Sequence, residues 1–208
     1  MKNKITRLAA CWIITCLLLS SCSKNDTYYY GDAENEGLAI FSNTGNNLLT
    51  CLVNNNPWRT GDRTFNVFTP GGPRYELYIR KQISTSLMDT LHFDWTGCYS
   101  PDGTNYGYLS LQLTVAKNFG YRNLSTFSGM RLQIDTTNGF FTFYSAYTST
   151  GFSKGKGNIY FHKAVFDSLG PNNYSGRISG LFDADFISTI ITKGRFDHDI
   201  NTENVQLQ

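Results

Sequence analysis

Charged residues are scarce in this chain. Asp, Glu, Lys and Arg make up 16% of its 208 residues, and 18 basic against 16 acidic side chains leave a formal charge of +2. A nucleic-acid-binding face needs a concentrated basic surface, so that class of partner is excluded. Proline is sparse at 5 residues, and histidine sparser at 3. His92, His162 and His198 stand far apart, without the short paired spacing of a metal site. The apolar run Leu8 to Leu19 is too short to cross a hydrocarbon layer of about 30 Å as a helix. An apolar pattern of 3.6-residue period, long enough for a helix, is missing as well. What the chain does contain is aromatic: 13 Tyr, 15 Phe and 3 Trp, beside 19 Gly. Such aromatic content with so small a net charge excludes a disordered chain. The glycines, with few strong helix formers, favour strands joined by turns.

The first residues account for the basic balance. Lys2, Lys4 and Arg7 precede the apolar run, and Ser20, Ser21 and Cys22 follow it, the order of a secretory signal. Leu19-Ser20-Ser21-Cys22 resembles the lipobox of bacterial lipoproteins, in which the thiol gains a diacylglyceryl group before the peptide is cut. The resemblance implies a signal over residues 1–21, a lipidated Cys22, and a membrane partner reached through the N-terminal lipid. Ser23 in the next position resembles lipoproteins delivered to the outer membrane. The mature chain then has 187 residues with 15 basic and 16 acidic side chains, a charge of −1. Residues 22–37, polar with three tyrosines and then Asp32, Glu34 and Glu36, read as a tether.

Beyond the tether the recurring signal is alternation of period two. Leu91, Phe93 and Trp95 oppose Thr90, His92 and Asp94; Leu109, Leu111, Leu113 and Val115 oppose Ser110, Gln112 and Thr114. Tyr75, Leu77 and Ile79 alternate too, as do Met130, Leu132 and Ile134, Phe141 with Phe143, and Phe182, Ala184 and Phe186. Ile159, Phe161 and Val165 are expected to face opposite to Tyr160, His162 and Ala164. Turn signals such as Pro101-Asp102-Gly103 and Asn138-Gly139 separate the runs. The expected fold is all-β: one domain over residues 38–208, an antiparallel β-sandwich or open barrel.

Leu49-Thr50-Cys51-Leu52-Val53-Asn54-Asn55-Asn56-Pro57-Trp58 near the start resembles small Bacteroidota lipoproteins of unknown function. So do Tyr174-Ser175-Gly176-Arg177-Ile178-Ser179-Gly180-Leu181-Phe182 and Ile191-Thr192-Lys193-Gly194-Arg195-Phe196-Asp197 near the end. Those proteins open with a strand, a turn and a Trp, and close with Ser-Gly-x-Phe and Gly-x-Phe strands. The resemblance implies an all-β fold and an envelope location. It implies no activity and no catalytic residues.

Several residues invite a chemical role. Cys51 and Cys98 are the thiols left in the mature chain, and an envelope location permits a disulfide between them. Cys51 also alternates in phase with Leu49 and Val53, as a buried free thiol would. Gly151-Phe152-Ser153-Lys154-Gly155 matches the G-x-S-x-G of a nucleophile elbow, which works only on a strand-to-helix turn. Here strand-like residues follow, so a hairpin loop is the plainer reading. Asp197-His198-Asp199 invites a metal, yet on a strand the acids face away from the histidine. The stretch Asp94 to Tyr108 gathers Trp95, Tyr99, Asp102, Asn105 and Tyr106 around a turn. Aromatic faces stack on sugar C–H surfaces while Asp and Asn bond hydroxyls; the same rings could equally belong to a core.

The expectation from sequence is therefore a lipoprotein of the outer membrane with a non-catalytic domain that binds a glycan or an envelope protein, using neither cofactor nor metal. A structural accessory subunit of an envelope assembly is the alternative, and a hydrolase using Ser153 a second one.

Overall fold

Alternating apolar residues bury one face of each strand, and here that face turns inward around a common axis. The computed structural model describes residues 31–60, 77–99, 106–145, 150–170, 173–203 and 205–207. A small hairpin comes first, β1 (Gly31–Asp32) with β2 (Asn35–Ala39). There follow β3 (Leu48–Val53), β4 (Asn56–Arg59), β5 (Leu77–Gln82), β6 (Met88–Cys98) and β7 (Tyr106–Ala116). A short helix α1 (Tyr121–Leu124) and a 3-10 turn at Ser125–Phe127 precede β8 (Arg131–Ile134) and β9 (Gly139–Ser145). The long strands β10 (Thr150–Gly170), β11 (Asn173–Asp185) and β12 (Ile190–Asn201) lead to β13 (Val205–Gln206).

The strands pair in the cycle β3, β4, β6, β7, β9, β10, β11, β12 and back to β3. The sheet therefore closes into an eight-stranded antiparallel barrel rather than splitting into the two stacked sheets of a sandwich. Closure removes the exposed edges that an open sheet would leave. Among the described residues β4 joins β6 through the pair of Arg59 with Cys98. Below it β5 takes the free edge of β6, from Leu77 opposite Trp95 to Gln82 opposite Thr90, and β13 adds to β5 in parallel. On the far side β8 pairs Arg131–Ile134 with residues 157–160 of β10.

Aromatic rings fill the interior. Trp95 lies parallel to Phe182 at 6.4 Å and 4°, tilts against Phe196 at 5.7 Å, and stacks with Phe93. Phe141, Phe143 and Phe161 complete the filling, all buried. Phe127, from the 3-10 turn, closes one end by packing on Phe161 at 4.9 Å and on Phe93. The lumen is thus a packed core of the kind that side chains can fill in a barrel of about eight strands. Gly194 is one place where this packing dictates the residue, since a Cβ there would lie 2.4 Å from the Phe182 ring.

The alternation of the sequence matches the described strands with one change of phase. Ala164 is buried and Val165 is exposed, the reverse of the expectation. The register of β10 against β11 shifts between Phe161 and Lys163, so an extra residue at His162 inverts the faces beyond it. Residues 31–37, expected as tether, carry the β1–β2 hairpin. It is fastened to β12 where Arg195 Nη1 donates to Asp32 Oδ2 at 2.7 Å and to the Ala39 carbonyl at 2.8 Å.

Candidate functional site

With the lumen packed, the described concave surface lies on the outside of the barrel. Four strands, β8, β10, β11 and β12, present a continuous outer face there. Arg131 sits opposite Tyr160, Tyr160 opposite Leu181, and Leu181 opposite Arg195, so these four side chains form one row across the sheet. A second row begins with Gln133 opposite Asn158 and Asn158 opposite Asp183. Lys193 stands beside it, past the bulge of β11 against β12. Together with Asn35 and Phe41 these residues line an open groove of about 1010 Å³. A neighbouring hollow of about 530 Å³, walled by the segment from Ala39 to Thr44 and by His162, shares Phe41 with it.

The wall between the two hollows is aromatic. Phe41 meets His162 edge-on at 5.5 Å, and His162 meets Tyr160 edge-on at 6.0 Å. The segment that carries Phe41 is held by an acid: the Asp197 carboxylate accepts the N–H groups of Thr44, Gly45 and Asn46 at 2.9–3.2 Å. Gly45 is at φ +86°, and a Cβ there would fall 2.1 Å from Asp199 Oδ1, so the turn needs glycine.

The polar groups of the groove are partly spoken for. Arg195 is neutralised by Asp32, whose carboxyl is held down to about 2 by hydrogen bonds from Asn35, from Arg195 and from the Glu34 backbone. Asn158 Nδ2 donates to Asp183 Oδ1 at 3.0 Å, and Lys193 Nζ donates to Asn35 Oδ1 at 2.5 Å. The Arg131 guanidinium lies over the Tyr160 ring, 4.6 Å from its centre. The groove therefore offers one aromatic–aliphatic floor, Tyr160 and Leu181, with donors at both ends and a carboxylate along its side.

The residues singled out in sequence are distributed differently. Trp95 is a core residue, 1% exposed and stacked among phenylalanines, so its ring is closed to a ligand. Tyr99 is half-buried against the core, and burial pushes its hydroxyl pKa up. Tyr106 is exposed on the outer face, its ring 6.3 Å from that of Tyr144. Asp102 and Asn105 lie outside the described residues, as does Cys22. The structure thus points Trp95 inward and Tyr106 outward, on opposite faces of the barrel wall.

Cys51 and Cys98 are both free and buried, rather than bridged. Cys51 is on β3 opposite Trp58, and Cys98 is on β6 opposite Arg59, so β4 runs between them. Two strand spacings come to about 10 Å, beyond the reach of a disulfide. Burial pushes the Cys51 thiol pKa up, which makes it unreactive. Ser153 lies within β10 opposite Phe143, with strand on both sides and no helix at Gly155. The strained strand-to-helix turn of a nucleophile elbow is not formed there. His198 points into the barrel, 1% exposed, while on the opposite face of β12 Asp197 is buried beneath the Thr44–Asn46 backbone and Asp199 is exposed. Among the described residues no three His, Cys, Asp or Glu side chains gather as a metal site, and no helix is long and apolar enough to cross a membrane.

A second polar cluster lies on the outer face of β5, β6 and β7. Asp94 accepts Arg80 Nε at 2.9 Å and the Ser110 hydroxyl at 2.6 Å. His92 bridges Arg80 Nη2 and Gln82 Oε1, each at 3.2 Å. Burial and the neighbouring Arg80 lower the His92 pKa, which keeps the ring neutral. These groups satisfy one another and read as a structural network.

Local sequence held no sign of the groove residues, because they come from four strands spread between Arg131 and Arg195 and, with Asn35 and Phe41, from the chain before β3. The one signal was alternation, which marked Tyr160 as outward-facing. Comparison with known protein families, characterised proteins and solved structures returns no match.

Proposed function

We propose that this chain is a lipid-anchored protein of the outer membrane that binds an oligosaccharide on the outside of its barrel and performs no catalysis. The observation that carries the binding reading is the groove itself, an aromatic floor and wall flanked by Arg131, Asn158, Asp183 and Lys193. A concave site with an apolar base and a few convergent polar groups is the usual form of a small-ligand site. Its openness and its course across four strands suit an extended chain of sugars more than an enclosed small molecule. The anchor rests on the ordered signal and the lipobox-like Leu19 to Cys22.

The test is an oligosaccharide array probed with the full chain in mild detergent. Binding is expected, and Tyr160→Ala is expected to weaken it about tenfold, the loss of one aromatic contact. An array without signal above background overturns the reading. For the anchor, a radiolabelled fatty acid should be incorporated in cells, and Cys22→Ser should abolish the label and release the protein from the membrane fraction.

A second reading, a structural subunit docked to another envelope protein, draws on the turn between β5 and β6. There Ile83, Leu87 and Met88 are all exposed, Leu87 by 91%. A photo-crosslinker at Leu87 that captures one partner in cells, together with a silent array, favours it.

A further inference from the structure

We infer that the ligand of the groove is anionic, an oligosaccharide carrying carboxylate or sulfate groups; this rests on the reading of the groove as a sugar site. Some described cations are paired with an acid, Lys81 and Lys117 with Asp89 among them, and others, such as Arg122, Lys154, Lys156 and Lys163, are not and lie away from the groove. Arg80, Arg177 and Arg195 are each paired with an acid, Asp94, Asp199 and Asp32 respectively. Arg131 and Lys193 have no carboxylate within ion-pair distance among the described residues. Both line the groove.

Their placement fits recognition of a charged chain. Arg131 is on β8 and Lys193 on β12, three strand steps apart through β10 and β11, which is about 14 Å at the usual strand spacing. The Arg131 guanidinium carbon sits 4.6 Å from the centre of the Tyr160 ring, and a guanidinium held by an aromatic ring keeps N–H donors that can take an oxyanion. Lys193 is exposed, with the neutral Asn35 amide as its partner. Between the two cations the floor is Tyr160 and Leu181, and Asp183 with Asn158 offers an acceptor and an amide suited to hydroxyls. Hydroxyl-rich rings in the middle and negative groups toward both ends complement this order. With Arg195 neutralised by Asp32, Arg131 and Lys193 against Asp183 leave the groove one net positive charge that a neutral sugar would not meet, and a small inorganic anion would leave the floor unused.

The experiment is titration calorimetry of the full chain in mild detergent with matched pairs of probes. One pair is oligogalacturonate and its methyl ester; the other is a chondroitin sulfate oligosaccharide and its desulfated, carboxyl-methylated form. At least one acidic member should bind about tenfold or more tightly than its neutral counterpart, as expected for a charge-assisted bidentate contact. Arg131→Gln and Lys193→Gln should each weaken the acidic probe by about tenfold and the neutral one by clearly less, so that the preference for the acidic member shrinks, with the fold retained by circular dichroism. Tyr160→Ala should weaken both members of a pair. Equal binding of acidic and neutral members, indifferent to Arg131→Gln, overturns the anionic assignment and leaves the sugar site standing. Binding to no probe here and none on the array overturns both.

Discussion

The Asp197 carboxylate receives the backbone N–H of Gly45 on both of its oxygens, at 3.0 and 2.9 Å. The N–H groups of Thr44 and Asn46 point at the same carboxylate, so one side chain of β12 organises the turn that follows Phe41. Asp199 adds a backbone N–H donated to Asn47 Oδ1 at 2.9 Å. Asp197 is thus a link between barrel stability and the aromatic wall of the groove.

Asp197→Asn tests that link. The shape is kept, but one acceptor oxygen becomes an NH2 group facing N–H donors. The expected cost is about 1–3 kcal/mol, which for a chain of this size lowers the melting temperature by roughly 2–4 °C per kcal/mol. Ligand affinity should fall with it, since Phe41 loses its support. An unchanged melting curve by circular dichroism, with unchanged affinity, would mean that the turn holds itself.

Trp95 and Tyr106 should behave in opposite ways. Trp95→Ala empties the middle of the packed lumen and should cost about 3–5 kcal/mol. Trp95→Phe should cost far less, because the indole Nε1 is buried without a hydrogen-bond partner and its removal leaves nothing unpaired. Tyr106→Ala, on the exposed outer face, should stay within about 1 kcal/mol of the parent. Denaturant titration of the three variants separates these outcomes; equal losses would place Trp95 outside the core.

The strands were legible where the alternation ran unbroken, as in Leu91-Phe93-Trp95 and Leu109 to Val115, which became β6 and β7. At His162 the pattern failed, because a bulge adds a residue without changing composition, and Val165 turned outward. The choice between sandwich and barrel was not legible, since both bury the same alternating faces. It depends on whether the edges meet, and among the described residues they meet through the pair of Arg59 and Cys98. The groove was hidden for a related reason. Arg131, Tyr160, Leu181 and Arg195 become neighbours only through strand register, which no local window contains. Aromatic enrichment near Trp95 could signal a core or a sugar platform equally, and the inward phase of Trp95 with Leu91 and Phe93 was what separated them.

The two described cysteines, Cys51 in the core and Cys98 buried opposite Arg59, give a chemical readout of how tightly the wall is packed. Native protein should leave Cys51 and Cys98 unmodified by a maleimide over hours, and denatured, unreduced protein should take up two labels on these residues. A reductant should not shift the melting temperature. Labelling that appears only after reduction would show a bridge.

The pH dependence of stability should carry the mark of His198. Burial among apolar residues pushes its pKa down from 6.5 to about 3, with Asp197 opposing the shift. Between these values the unfolded chain binds a proton that the folded chain refuses, so unfolding gains as pH falls. The slope approaches about 1.4 kcal/mol per pH unit for one such group. Stability should therefore be constant on this account above pH 6.5 and decline below it, well before Asp32 is protonated near 2. His92, also lowered by burial, adds in the same direction. His198→Leu, which fills a similar volume without a titrating group, should flatten most of the decline between pH 6.5 and 4, read as the midpoint of urea unfolding against pH. A decline of unchanged steepness in that variant would assign the effect to His92 and its Arg80 neighbour instead.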